Sequence, residues 1–430
     1  MPMIRDRAVP TTSSAQGLKS PPVQPAASQT PANSDLPPVC IIVENLPVPL
    51  DGRVWREARA LRDAGYPISV ICPKGETSFR KSYEVLEGIH IYRHPRWEAS
   101  NPVGYLLEYA WALTAEFYLA IKVFTRTRFR ILQGCNPPDN IFLIALFFKL
   151  FGVRFIFDHH DLSPELFQTK FGKAKGLLYK LSCIAEHLSF KVASASLATN
   201  ESFKEVAVMR GKMRKDRVFV VRNCPDLNRF RRGPGIPEIK GGKRLLVAYV
   251  GFMGVQDGLP LLLESIEHVV CRQNRQDTHF LLIGDGTVLT ELKAAVTEKH
   301  LSRFVTFTGQ ITHEQVAEYL STADIGVAPD PKTPMNDRST MIKLMEYMAF
   351  GLPIVLYDLT EGRRTVGSAG LYANPNDPID FAHKLTSLLD SAALRCELGT
   401  YGRQEVEARL NWDIEKAALL SAYKTALARI

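Results

Sequence analysis

At 430 residues, with 46% hydrophobic and 23% charged side chains, the chain is too long for one core and suits two ordinary domains. Its formal charge of +8 is concentrated: residues 40–220 hold 26 Lys/Arg against 18 Asp/Glu, while the remainder balances at 27 against 27. Seven widely spaced cysteines, without a CxxC pair or a Cys/His cluster, exclude a disulfide scaffold or structural zinc site and point to a reduced, cytoplasmic setting.

Residues 1–37 are rich in Pro, Ser, Ala and Thr and lack apolar periodicity, which predicts a disordered tail without the apolar core of a secretory signal. From there, apolar runs alternate with helical patterns: PVCIIVEN, ISVICP, IHIYRHP, RILQGCN, RFIFDHHD, SASLATN and VFVVRN in the first half, then LLVAYVGF, FLLIGDG, VTFTGQ, IGVAPD, IVLYD and GLYANP. Continuous apolar strands between helices predict parallel sheets covered on both faces. Two stretches, 102–124 and 140–152, are strongly apolar. The first contains Glu108, Glu116 and Lys122, and the second is about two-thirds of a spanning length, so both read as buried helices, with an interfacial helix as the alternative. Basic clusters at 126–130, 170–180 and 210–217 read as solvated faces, or as contacts to a phosphate-bearing substrate or an anionic membrane. No zinc spacing, aromatic RNA-binding strand or basic heptad helix supports a nucleic-acid partner.

These patterns predict a doubly wound α/β domain over 38–225, a Pro/Gly/Arg-rich linker over 226–243, and a second doubly wound domain over 244–408. Ligands of such sheets bind beyond the carboxyl ends of the strands, here in the cleft between them. Glycines in GFMGVQDG and GDG suit close backbone approach to a phosphate. There is no P-loop lysine and no complete GxGxxG. In STMIKLMEYMAFGLPIVLYD, Ser339 or Thr340 is expected to cap a helix that Gly351 and Pro353 end. A helical wheel puts Met341, Leu344, Met345 and Met348 on the apolar face and leaves Lys343 and Glu346 on the polar one, where they would pair.

Several motifs, DGRVWREARALRDAGYPISVICP, HDLSPE, VVRNCPDLNRF, YVGFMGVQDGLPLLLESI, VTFTGQITHEQVAEYLSTADIGVAPD and MEYMAFGLPIV, occur in an order that resembles the family 4 retaining glycosyltransferases of the GT-B fold over nearly the whole chain after the tail. The resemblance implies two Rossmann-like domains facing each other across a cleft, the first for the acceptor and the second for a nucleotide-activated sugar, with residues 409–430 returning to the first domain. It makes Glu346 the carboxylate that accepts hydrogen bonds from the donor's ribose hydroxyls. Gly251, Gly284 and Gly286 would approach the nucleotide, and Gly309 and Ile311 would fit the base. Neutral His160 would orient the reacting sugar, with Asp161 and Glu165 beside it; Asp51, Gly52 and Arg53 would form the acceptor or diphosphate loop, and Arg222 and Asn223 the hinge.

The chain departs from the family pattern in two places. Arg338 stands where the first Glu of the Glu, seven residues, Glu motif is usual, with Asp337 displaced by one, and the loop Gly251–Gly258 lacks the usual Arg and Lys. The N–H groups at Ser339, Thr340 and Met341, with Arg338 and Lys343 as cations, are the replacements to test. The expected activity is transfer of a sugar from a nucleotide diphosphate sugar to a glycan or lipid-linked acceptor, with retention, in cell-surface polysaccharide or glycolipid synthesis. No cofactor or metal is expected beyond the nucleotide sugar as substrate. The setting is cytoplasmic, with an anionic membrane surface as a partner of the basic first half. Alternatives are a nucleotide-sugar epimerase and a catalytically silent nucleotide-sugar-binding subunit.

Overall fold

The computed structural model describes residues 36–76, 78–97, 102–171, 176–228 and 230–428. The tail expected to be disordered lies outside the described residues except for Leu36 and Pro37.

The first domain contains strands β1 (Val39–Val43), β2 (Ile68–Pro73), β3 (Tyr83–Leu86), β4 (Ile89–His94), β5 (Ile131–Cys135), β6 (Arg154–His159), β7 (Ala195–Ala198) and β8 (Val218–Val220). Its helices are α1 (Gly52–Asp63), α2 (Pro102–Thr127), α3 (Phe142–Lys149), α4 (Ser163–Phe171), α5 (Leu177–Val192) and α6 (Glu201–Met209). The sheet order is β3-β4-β2-β1-β5-β6-β7-β8, parallel except for the antiparallel hairpin partner β3. All five residues of β1 are buried, as a strand covered on both faces requires. Its side chains alternate: Val39, Ile41 and Val43 join the core under α1, while Cys40 and Ile42 join the core under α2, α3 and α5.

The second domain has strands β9 (Leu245–Val250), β10 (Thr278–Ile283), β11 (Val305–Gly309), β12 (Ile325–Ala328), β13 (Ile354–Tyr357) and β14 (Gly370–Ala373), all parallel in the order β11-β10-β9-β12-β13-β14. Helices α7 (Leu259–Glu267), α8 (Leu289–Glu298), α9 (His313–Thr322), α10 (Ile342–Ala349), α11 (Thr360–Val366), α12 (Pro378–Asp390) and α13 (Ala392–Arg409) cover its faces. The last helix, α14 (Trp412–Leu427), crosses back and packs against β6, β7, β8 and α1 of the first domain. Tyr423 of α14 meets Tyr66 edge-on at 5.7 Å between ring centroids.

In each sheet the strand order reverses beside the first strand, β1 or β9, and the loop leaving that strand therefore opens at a switch point. No helix among the described residues is long and apolar enough to cross a membrane.

Candidate functional site: the cleft between the two sheets

On the first-domain side, Asp51 caps α1 by accepting from the N–H groups of Arg53 (3.1 Å) and Val54 (3.0 Å). Gly52 is exposed at the helix start. Arg53, expected to approach a diphosphate, is instead turned inward and buried. It pairs with Asp158 at 2.8 Å and Glu57 at 3.1 Å, and donates to the Val221 carbonyl (2.7 Å) and the Asn223 side chain (3.2 Å). A guanidinium removed from water needs such partners, so Arg53 holds the loop, the end of β6 and the hinge together.

Asp158 also accepts from His160 Nε2 (2.7 Å) and Gln133 Nε2 (3.0 Å). Burial opposes its ionisation, but Arg53 and His160 overcome this and hold the carboxyl well below its ordinary value. Burial lowers the His160 pKa, yet the Asp158 charge outweighs it and the net shift is upward. The imidazole expected to be neutral is thus biased toward its charged form. Gln133 ties in Glu57 at 2.7 Å and accepts a bond from Tyr423 of α14. Burial pushes Glu57 up to about 8, with Arg53 pulling back. Cys135, Asp158 and His160 present ligand atoms within 4.8 Å of one another, but Arg53 and His160 already supply the positive charge that a cation would bring.

The loop after β6 is held by Asn136, whose Oδ1 accepts from the His160 N–H at 2.6 Å and whose Nδ2 donates to the Asp161 carbonyl at 2.7 Å. Burial raises the Asp161 pKa. Glu165 turns to Arg210 (2.6 Å) and, across the cleft, to Arg338 (3.3 Å).

On the second-domain side, Gly251 follows β9, Gly284 and Gly286 follow β10, and Gly309 ends β11. The turns pack backbone against backbone. At Gly284 (φ +133°) an added Cβ would lie 1.9 Å from the Gly251 carbonyl oxygen, so only glycine fits. Ile311 lies two residues past β11, half-buried.

The start of α10 differs from expectation. Met341 is the N-cap residue, without a side-chain cap bond. Ser339 Oγ donates backwards to the Met335 carbonyl at 2.9 Å, and the buried Thr340 hydroxyl has no partner among the described residues. Lys343 is not on a polar face: it is buried, its ammonium 3.0 Å from Asp330 and 4.6 Å from the centre of the Tyr249 ring. Asp330, buried after β12, takes the partner's place that the helical wheel gave to Glu346. The wheel missed this because the neutralising charge comes from another strand. Burial lowers the Lys343 pKa, but Asp330 more than offsets it. The ammonium remains charged beneath the Gly251 turn, where an added Cβ on Gly251 would lie 3.7 Å from Lys343 Cε.

Glu346, one turn further along α10, is half-buried, and its carboxylate makes no hydrogen bond or ion pair among the described residues. Burial pushes it up to about 7, with Arg56 and Lys343 pulling back. Arg56 belongs to α1, so Glu346 faces the first domain across the cleft. Arg56 is held by Trp412 (5.4 Å) and by the Gly52 and Cys224 carbonyls. Sequence reasoning missed it, because on its own it is one more arginine on an amphipathic helix.

Arg338 does not join this cluster. It pairs with Glu165, and its carbonyl accepts from Asn200 at 2.8 Å. Asp337 accepts instead from Thr360 at the start of α11 (2.9 and 3.0 Å). A cavity of about 350 Å³ lies beside Arg338, lined also by Arg210 and α6. Nearby, Glu361 accepts from both the N–H (2.9 Å) and hydroxyl (2.6 Å) of Ser202 at the start of α6, a second latch between the domains. At the hinge, Arg222 is gripped by Glu415 of α14 through its N–H (2.8 Å) and guanidinium (3.5 Å).

The arrangement thus gathers Gly251, Gly284, Lys343 and Glu346 on the second-domain side and His160 and Asp161 on the first, with Arg53 buried behind His160. Two parallel-sheet domains opposed in this way define the GT-B class, and comparison with known proteins agrees. Residues 52–224 match the family described as glycosyl transferase 4-like domain, and residues 244–391 match glycosyl transferases group 1. Together the two regions span well over half of the chain, a glycosyl transferase 4-like domain followed by a glycosyl transferases group 1 domain. A GDP-mannose-dependent monoacylated phosphatidylinositol monomannoside mannosyltransferase of Corynebacterium glutamicum is 26% identical over 201 residues, 44% of this chain and 51% of that protein. An α-D-kanosaminyltransferase of Streptomyces kanamyceticus is 25% identical over 154 residues, 35% of this chain and 38% of that protein. The chain thus spans about half the length, or less, of these curated relatives. Among solved structures, sucrose-phosphate synthase from Thermosynechococcus elongatus superposes with a TM-score of 0.72 at 19% identity over 90% of this chain and 98% of that one. The Anabaena protein HepE in complex with UDP and glucose gives 0.68 at 14% over 90% and 100%.

Proposed function

We propose that the chain transfers a sugar from a nucleotide diphosphate sugar to an acceptor hydroxyl with retention of configuration. The observation that carries this is Glu346: a half-buried carboxylate that makes no hydrogen bond or ion pair among the described residues, one turn past the Lys343 that lies under the Gly251 turn, and drawn toward Arg56 of the other domain. A carboxylate accepts at both oxygens and so suits two adjacent ribose hydroxyls. The nucleotide-sugar reading is supported by the fold shared with a protein seen with UDP and glucose, and by a relative named for GDP-mannose.

In this reading the diphosphate sits between the Gly251 turn and the start of α10. The backbone N–H groups of Thr340 and Met341 meet its charge there, with the Lys343 ammonium just beneath, whereas the Ser339 N–H, expected to join them, is taken by the Asn336 carbonyl at 3.2 Å. Arg338, committed to Glu165, serves closure of the domains rather than charge neutralisation. His160, held by Asp158, donates to a hydroxyl of the transferred sugar and fixes its face. The acceptor oxygen attacks from the side the diphosphate leaves. The C–O bond to phosphate breaks as the new C–O bond forms, and the acceptor proton passes to the departing phosphate oxygen. Closure excludes water and so suppresses hydrolysis. Acceptors in cell-surface polysaccharide or glycolipid synthesis fit the phosphatidylinositol-mannoside relative and the structural likeness to WaaG, described as involved in lipopolysaccharide biosynthesis.

The test is incubation of the purified protein with UDP- and GDP-sugars, with and without cell-derived glycolipid or glycan acceptors, following released nucleoside diphosphate. Turnover that needs an acceptor is expected. A changed nucleotide sugar without acceptor would instead mark an epimerase, and binding without turnover a silent subunit.

A further inference from the structure

Helices α2 and α3 cover one face of the first-domain sheet and touch each other: Phe117 lies 5.0 Å from Phe147 and Phe124 5.5 Å from Phe151 between ring centroids. The inward stripe of α2 is Ala112, Glu116, Ala120 and Val123. The opposite stripe, Leu107, Trp111, Thr114, Tyr118, Ile121 and Thr125, carries no charge over five turns, and Tyr118 is 67% exposed. The outward residues of α3 and its end, Leu143, Leu146, Leu150 and Phe151, are equally apolar, with Leu150 82% exposed. A helix on a soluble surface ordinarily turns charges outward; here two neighbouring helices turn out aliphatic and aromatic side chains instead.

The charges around this face have one sign. Between residues 102 and 154 the exposed ionised side chains are Arg126, Arg128, Arg130 and Lys149, whereas Glu108 is half-buried and Glu116 and Asp139 are buried.

We propose that the joined outer faces of α2 and α3 are a docking surface for an anionic lipid bilayer, lying in the plane of the headgroups with Trp111, Tyr118, Leu150 and Phe151 inserted and the four cations on lipid phosphates. The charge pattern selects this occupant. A twofold pairing of two copies through this face would set cations against cations, whereas anionic headgroups neutralise them. The inference is independent of the sugar-transfer reading.

The test is sedimentation of the full chain with vesicles of phosphatidylcholine alone or with 30% phosphatidylglycerol. At low salt the chain should pellet with the anionic vesicles, with at least a tenfold preference over the neutral ones, and should be released at about 0.5 M salt. Trp111 emission should shift to the blue on binding, a change lost in Trp111→Phe. Leu150→Asp with Phe151→Asp should abolish attachment, and Arg126→Glu with Arg130→Glu should remove the anionic preference; all are exposed positions, and circular dichroism verifies folding. Absence of attachment at low salt overturns the proposal. So does a concentration-dependent dimer that is abolished by Leu150→Asp with Phe151→Asp and leaves lipid binding unchanged.

Discussion

Replacing Glu346 with Gln isolates the charge on which the proposed donor site depends. A carboxyl held near 7 instead of its ordinary 4.5 costs about 3 kcal/mol to ionise in place, and no bond from the described residues repays that cost. Two ribose hydroxyls donating to the ionised group would repay it. Hydrogen bonds to a charged acceptor contribute about 1.5–3 kcal/mol each, and an amide retains part of this, so the net loss is about 2–3 kcal/mol, or roughly 30- to 150-fold in affinity. The pH dependence is the sharper signature. Donor binding favours the ionised form, so wild-type affinity contributed by this group rises about tenfold from pH 6 to pH 8, whereas Gln has nothing to titrate. Calorimetric titration of UDP or GDP into both proteins at pH 6, 7 and 8 gives the ratio of their dissociation constants. His160 and the ligand phosphates are common to both proteins and cancel in that ratio. A ratio near one at pH 8, or one that stays flat across the range, refutes the reasoning.

The other predictions concern the frame around this site. Arg53→Met leaves Asp158 and Glu57 buried without their cation and should cost about 3–5 kcal/mol of stability, read as a lowered denaturation midpoint; an unchanged midpoint would mean the clamp is dispensable. Burial pushes Glu44 and Glu57 up to about 8, Glu346 to about 7 and Asp139 to about 6, so the folded state binds more protons than the unfolded chain between pH 4.5 and 8. Stability from these groups is therefore full below about pH 4.5 and falls as pH rises, and the thermal midpoint should drop between pH 5.5 and 8; a rise would contradict the burial described. Glu361→Ala removes both bonds to Ser202 and should increase the radius of gyration in solution scattering while changing the thermal midpoint by only a few degrees; identical scattering curves would show that the latch does not hold the domains. Gly284→Ala should reduce both donor affinity and stability, because its Cβ collides with the Gly251 carbonyl; wild-type values in both assays would be incompatible with that contact.

Much of this architecture was legible in the sequence because buried parallel strands leave unbroken apolar runs. Thirteen of the fourteen strands among the described residues coincide with such runs, and the exception, β3, is a short edge strand whose alternate residues face solvent. Strand order was not legible, since it depends on crossovers and not on composition. Within the candidate site, motif spacing points to Glu346, and residue type points to the glycine turns. The partners of Lys343 and Arg53 were not found, because Asp330 and Asp158 come from distant strands and look, in isolation, like ordinary strand-end acids. The cap of α10 was misread for a related reason: Ser339 bonds backward into the preceding 3₁₀ turn, a choice fixed by the loop's path and not by local preference.

The chain passes between the domains twice, once after Asn223 and once between α13 and α14, and Glu415 fastens the second passage to the first through the Arg222 N–H. A door hung on a single pin can swivel and wobble; one hung on two pins turns only about the line between them. Opening the cleft is thereby confined to a single axis, so each reclosure returns Arg56 opposite Glu346 and Asn200 opposite the Arg338 carbonyl without a search through misaligned arrangements.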